Sequence, residues 1–170
     1  DEDGKVLDNP ANGNIDVFVA GIGTGGTISG VGKFLKSKNP DIKIIGVEPY
    51  DSPFISEGKS GSHKLQGIGA GFIPKNLDVD ILDEIIKVKT DEAYTAVNSL
   101  AKCEGILVGI SSGASVFGAT LVSKREDMKN KTNRDKMLIP SITISNVSTS
   151  KKYENLTIDI DKKNMVKKSN

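Results

Sequence analysis

The sequence predicts an α/β fold: an open, mostly parallel sheet flanked by helices. Three observations carry that prediction. Short β-branched runs alternate with segments of helical periodicity, the first strand, helix and strand fit within about 35 residues as a βαβ unit, and glycine-rich turns stand where strand passes to helix.

Ile15 to Gly21 (IDVFVAG) reads as a buried strand, bounded by Asn12-Gly13-Asn14 before it and by glycines after it. After the loop, Ile28, Val31, Gly32, Phe34 and Leu35 recur at helical spacing, with Lys33, Lys36 and Lys38 on the other face. Asn39-Pro40 stops that helix. Lys43 to Glu48 (KIIGVE) is the second strand, and a strand–helix–strand order implies that the two strands are parallel. Pro49 to Pro74 is a long Gly/Ser/Pro-rich connection carrying GIGAG at Gly67 to Gly71; connections of this length in compact domains serve a function or are disordered. Glu84 to Val88 (EIIKV) is a third strand. Thr90 stands where it would cap a helix from Asp91 to Glu104, whose first turn is acidic and whose stop is Gly105. A fourth short strand is expected at Ile106 to Ile110, and Ser111-Ser112-Gly113 then opens a small-residue helix that ends before Lys124.

Charge and composition change near Lys124. Residues 124–170 carry about twice as many Lys/Arg as Asp/Glu, residues 1–123 are net acidic, and the whole chain of 170 residues has a net charge of only +1. The expected organisation is a polar leader or linker over 1–14, an α/β domain over 15–123, and a charged link with a Lys/Asn/Ser-rich tail over 124–170. MLIPSITIS, near the start of that tail, is one more strand candidate, interrupted by Pro140.

The composition is 36% hydrophobic and 26% charged, without Trp, and holds no apolar run near the ~18 residues that would span a membrane. Neither a secretory leader nor a transit segment opens the chain, which begins DEDGKVLDNPANGN without a Met. A piece of a longer, cytoplasmic protein is expected. The single Cys103 excludes an internal disulfide and supplies no metal-ligand pair, so a reducing compartment such as the cytosol is expected and no metal site is assigned. The basic tail has no aromatic interleaving beyond Tyr153, which argues against a nucleic-acid arm. Three sequons, at Asn130, Asn146 and Asn155, are of the kind that an Asn/Ser/Thr-rich tail produces by chance.

GIGTGGT, Gly21 to Thr27, is the motif with chemistry in it. Gly21, Gly23 and Gly26 satisfy the dinucleotide pattern G-x-G-x-x-G, and Glu48 stands at the end of the next strand where a ribose-binding acid belongs. Its distance from Gly21 exceeds the usual spacing of ~20, and the dinucleotide pattern leaves Thr24 and Thr27 unexplained. Inward-turned amides, two hydroxyls and a helix N-terminus suit a phosphate monoester equally well, and a bare strand-to-helix turn remains the plain alternative. GIGAG and GISSGAS (Gly109 to Ser115) lie at element starts in the same layer, and such loops gather ligands beyond the carboxyl ends of parallel strands. Ser111 or Ser112 also reads as a simple helix cap.

GIGTGGTISGVGKFLK, IIGVEP, HKLQGIGAGFIP and GILVGISSGA, in this order and spacing, closely resemble the carboxyl-terminal half of the cysteine synthase (O-acetylserine thiol-lyase) and cystathionine β-synthase family. The resemblance runs from about Ile15 to Gly118 and implies the larger cofactor domain of a fold-type II enzyme dependent on pyridoxal 5′-phosphate, here incomplete. It implies that Gly23, Thr24, Gly25, Gly26 and Thr27 cradle the cofactor phosphate, that Ser111 hydrogen-bonds the pyridine nitrogen, and that Gly67, Gly69 and Ala70 border the substrate cleft. The implied reaction makes cysteine from an O-activated serine and sulfide by β-elimination and replacement, in a homodimer.

The family's Schiff-base lysine and its substrate-carboxylate loop belong to the amino-terminal half. No lysine of this chain matches that motif, so no catalytic residue is assigned and activity of this chain alone is not expected. The tail also departs from the family, with PSITISNVSTSKKY where a Gly-Glu-Arg-Tyr-like stretch belongs. An inactive truncated paralogue or binding module, and an NAD-binding domain, are the alternatives. His63 and Cys103 read as structural, solvated or packing residues.

Overall fold

The computed structural model describes residues 15–126 and the strand residues 137–138. The leader 1–14, the segment 127–136 and residues 139–170, with the three sequons, Pro140 and Tyr153, lie outside the described residues. β1 (Val17–Gly21), β2 (Lys43–Pro49), β3 (Glu84–Val88) and β4 (Met137–Leu138) form one sheet in the order β3-β2-β1-β4. Each neighbouring pair is parallel, with Val19 opposite Ile45 and Val47 opposite Ile86. The fourth strand therefore comes from beyond the charged link, within the expected MLIPSITIS segment.

Alternation along β1 and β2 explains why both faces of the sheet are covered. Val17, Val19, Ile45 and Val47 point to one side, where they pack with Ile86, Val88, Ala93, Ala114, Ala119 and Val122. Phe18, Ala20 and Ile44 point to the other, where Ile28 and Ile42 meet them. A parallel strand buried on both faces reads as a continuous apolar run, which is what VFVAG and KIIGVE are. α1 (Gly26–Lys38) covers the second face, while α3 (Thr90–Ser99) and α4 (Ile110–Ser123) cover the first. Small residues let the last two approach closely: a Cβ on Gly113 would collide with the Ala93 carbonyl.

Several expectations are corrected. Ile106 to Ile110 is not a strand: the Ile106 amide turns back to the Leu100 carbonyl at 3.3 Å, Leu107 is 71% exposed, and Ile110 already belongs to α4. The helix expected over Asp91 to Glu104 is α3 followed by one π-helical turn, Leu100–Glu104, which Gly105 ends with φ 69°. Thr90 does not cap α3. Lys89 holds the cap position, and its amide donates to the Glu92 carboxylate at 2.8 Å, so the acidic first turn does the capping. The long connection after β2 holds a short helix, α2 (Phe54–Glu57), and a 3₁₀ turn at Val79–Ile81 precedes β3.

Candidate functional site

α1 begins inside the glycine motif. Gly25 is its N-cap, in the left-handed region at φ 82° and ψ −12°, and Gly26 and Thr27 are its first helical residues. The amides of Gly26, Thr27 and Ile28 have no intrahelical carbonyl, no side chain caps them, and the first turn carries no acid. Thr24, Gly26 and Thr27 are exposed. The loop thus presents unopposed N–H groups and two hydroxyls at the positive end of a helix, an arrangement that binds anions.

The glycines answer first to the neighbouring loops. A Cβ on Gly25 would stand 2.5 Å from Leu77 Cβ and 2.6 Å from Leu77 Cα, and one on Gly23 would stand 2.5 Å from the Gly67 carbonyl oxygen. Leu77 belongs to a strap fastened to α1. The Asp78 amide donates to Ser29 Oγ at 2.8 Å, and the Asp78 carboxylate meets the Lys33 ammonium at 2.8 Å. That hydrogen-bonded ammonium holds the Asp78 carboxyl below its usual range. Backbone closeness between loops therefore requires glycine here, whether or not an anion is bound.

The expected site residues come together at the carboxyl end of β1. Gly67, Gly69 and Gly71 are all left-handed, with φ of 90°, 71° and 76°. The Gly69 amide donates to the Ile22 carbonyl at 3.1 Å, which ties GIGAG to GIGTGGT. Ser111 Oγ lies 3.9 Å from where a Cβ on Gly67 would stand, so the third loop joins the other two. Ser111 and Ser112 do not cap α4, whose N-cap is Gly109 without a side-chain bond. Ala70 lines a small pocket with Ile22, Gly23, Glu48 and Gly69.

Glu48 does not do what its sequence position promised. It is 1% exposed, and its carboxylate accepts from the Ile55 amide at 2.9 Å, the Ser56 amide at 3.2 Å and the Ser56 hydroxyl. It anchors α2, and both of its oxygens are already hydrogen-bonded within the fold. The ammonium groups of Lys33, Lys36, Lys43, Lys59 and Lys87 are paired with Asp78, Asp83 or Glu57. Cys103 is exposed in the π-helical turn. Among the described residues there is no His/Cys/Asp/Glu group that could hold a metal ion, and no helix long and apolar enough to cross a membrane. His63 is the residue whose place the sequence left open: its ring bridges Leu65 and Gly69.

Residues 7–139 match the model of the family described as pyridoxal-phosphate dependent enzymes. The chain belongs to that family. Among its curated relatives, cysteine synthase B of Campylobacter jejuni is 53% identical over 119 residues, which are 70% of this chain and 38% of that protein. Cysteine synthase of Staphylococcus aureus is 56% identical over 110 residues, 65% of this chain and 36% of that protein. The chain thus spans well under half the length of these relatives. Among solved structures, O-acetyl serine sulfhydrylase isoform 3 from Entamoeba histolytica superposes with a TM-score of 0.71 at 34% identity, over 76% of this chain and 37% of that one. The shared architecture is the fold-type II pyridoxal-phosphate fold, present here in part. Family membership and the occupied Glu48 carboxylate together count against a dinucleotide.

Proposed function

We propose that this chain is the cofactor-domain part of a cysteine synthase-like enzyme that makes cysteine from an O-activated serine and sulfide. The observation that carries the proposal is the uncapped N-terminus of α1 inside GIGTGGT, flanked by Thr24 and Thr27 and walled by the Gly67 loop and Ser111. The relatives named cysteine synthase supply the reaction class. The residues fit pyridoxal phosphate. The amides of Gly26 and Thr27 with the two threonine hydroxyls would hold its phosphate, while Gly23 and Gly25, lacking Cβ atoms, let the Gly67 loop and Leu77 close against the loop that presents them.

When bound, pyridoxal phosphate supplies a ring that withdraws electrons from the substrate α-carbon. The chain's own residues set how strongly. Ser111 would offer the ring nitrogen a neutral hydroxyl, which would not hold a proton there as a carboxylate does, an arrangement that would suit a substrate with a good β-leaving group. An O-activated serine has such a group. Gly67, Gly69 and Ala70, with almost no side-chain bulk, would leave the cleft open to a small amino acid and to sulfide. The lysine that binds the cofactor and the groups that hold the substrate carboxylate are assigned to the amino-terminal half; a homodimer follows from the same resemblance, and a reducing compartment such as the cytoplasm from the single Cys103.

Cysteine formation from O-acetylserine and sulfide, measured with the complete polypeptide that carries this domain, tests the proposal. Turnover that disappears when the phosphate of the cofactor is removed is the expected result. Retention of pyridoxal phosphate without cysteine formation from any O-activated serine would assign the domain to another reaction of the family.

A further inference from the structure

We propose that His63 is a positioning residue that braces the Gly67–Gly71 loop against the phosphate cradle; the proposal rests on the pyridoxal phosphate reading of that cradle. A loop with three left-handed glycines in five residues has few side chains with which to hold itself. Ile68 supplies one anchor, buried with its Cγ2 only 2.8 Å from where a Cβ on Gly21 would stand. The Gly69 backbone supplies the other, because it is held on both sides. Its N–H donates to the Ile22 carbonyl at 3.1 Å, and its carbonyl faces His63 Nε2 at 2.9 Å. Ile22 is the residue before Gly23, and Gly23 lies against the Gly67 carbonyl. A shift of Gly69 therefore reaches both walls of the cradle within two residues.

The ring is held as firmly as it holds. The Leu65 amide meets Nδ1 at 3.2 Å, and the Leu65 side chain is wholly buried in the core. An amide offers only a hydrogen, so Nδ1 is the acceptor and Nε2 carries the ring proton toward the Gly69 carbonyl. His63 is in effect a strut of fixed length between a core-anchored residue and the flexible loop. A Cβ on Gly69 would meet Nε2 at 2.9 Å and collide with the Pro49 ring, so the loop is packed between strut and strand.

The two bonds of the ring can be separated by substitution. His63→Gln places a side-chain N–H near the position of Nε2 and keeps the bond to Gly69. His63→Asn places an oxygen near the position of Nδ1 and keeps only the bond to Leu65, and His63→Ala keeps neither. The experiment measures pyridoxal phosphate binding by equilibrium dialysis on the full chain, together with amide hydrogen exchange at Gly69, with Val19 and Ile45 reporting whether each variant stays folded. Loss of one neutral hydrogen bond predicts binding weakened about fivefold, and Gly69 exchange accelerated by a similar factor, for His63→Ala and His63→Asn. His63→Gln should stay within about twofold of wild type in both readouts. Wild-type behaviour in all three variants, equal loss in all three as mere space-filling would give, or rescue by Asn instead of Gln would each overturn the proposal. Failure of the cradle reading looks different: the wild-type chain would not bind pyridoxal phosphate, while Gly69 exchange would still separate Gln from Asn and Ala.

Discussion

Replacing Gly25 by Ala tests whether the cradle's shape is set by its neighbours. The new Cβ meets Leu77 Cβ at 2.5 Å, Cα at 2.6 Å and N at 2.8 Å, and the backbone there has φ 82°. Holding a residue with a Cβ in the left-handed region costs roughly 1–2 kcal/mol, and overpacking of a fixed site costs roughly a further 1–3 kcal/mol. The expected loss is about 2–5 kcal/mol, a large share of the ~5–15 kcal/mol that a domain has. Leu77→Ala should not rescue the variant, because the colliding atoms are Leu77's backbone and Cβ. Gly26→Ala is the control: the nearest atom to its Cβ is Thr24 Oγ1 at 3.8 Å, so its stability should stay within about 0.5 kcal/mol. Urea denaturation followed by circular dichroism reads both variants. Equal stability of Gly25→Ala and Gly26→Ala would refute the reasoning, since the collision and the left-handed turn would then be absent in solution.

Other consequences are equally open to measurement. Thr24→Val and Thr27→Val should each weaken pyridoxal phosphate binding about threefold to tenfold while leaving the urea midpoint in place, because each removes one hydroxyl from an exposed loop. Glu48→Gln should destabilise the fold by about 1–3 kcal/mol, because an amide N–H₂ would face donors that now have an acceptor. Glu84 is held below its usual carboxyl range chiefly by the hydrogen bonds of the Arg125 guanidinium, at 2.6 Å to each oxygen. A depressed folded-state value means that this stabilisation is present above the ordinary glutamate range and is lost as pH falls through the lowered value. Acid titration of stability below about pH 4.3 should therefore be shallower in Glu84→Gln than in wild type.

Much of the fold is legible because burial on both faces leaves continuous apolar runs. VFVAG and KIIGVE became β1 and β2, EIIKV became the partly exposed edge strand β3, and the periodicity after the loop became α1, with Phe34 exposed and not on the apolar face expected for it. ILVGI carries the same composition, yet hydrogen bonding at Gly105 and Ile106 closes a π-helical turn there, and Ile110 enters α4. Apolar composition alone does not say whether a neighbouring strand exists to pair with. Glu48 shows the same limit on the chemical side, since its position satisfied a nucleotide pattern while its carboxylate was already committed to α2. The proposed cradle residues stand out in the sequence as glycines and hydroxyls at a strand-to-helix junction, a pattern that suits a dinucleotide, a single phosphate or a bare turn, and the family resemblance is what chooses among them. The dependence of Gly25 on Leu77 and of Gly69 on His63 was not legible, because those contacts join residues through the tertiary fold rather than through spacing.

The central claim is that GIGTGGT holds the single phosphate of pyridoxal phosphate. Titrating the full chain with pyridoxal phosphate, with pyridoxal lacking the phosphate, and with NAD addresses it most directly, with ³¹P resonance shifts and equilibrium dialysis as readouts. Saturable binding of pyridoxal phosphate that is weakened at least tenfold without the phosphate, and no binding of NAD, is the predicted result. Equal affinity for pyridoxal, or saturable binding of NAD, would contradict it.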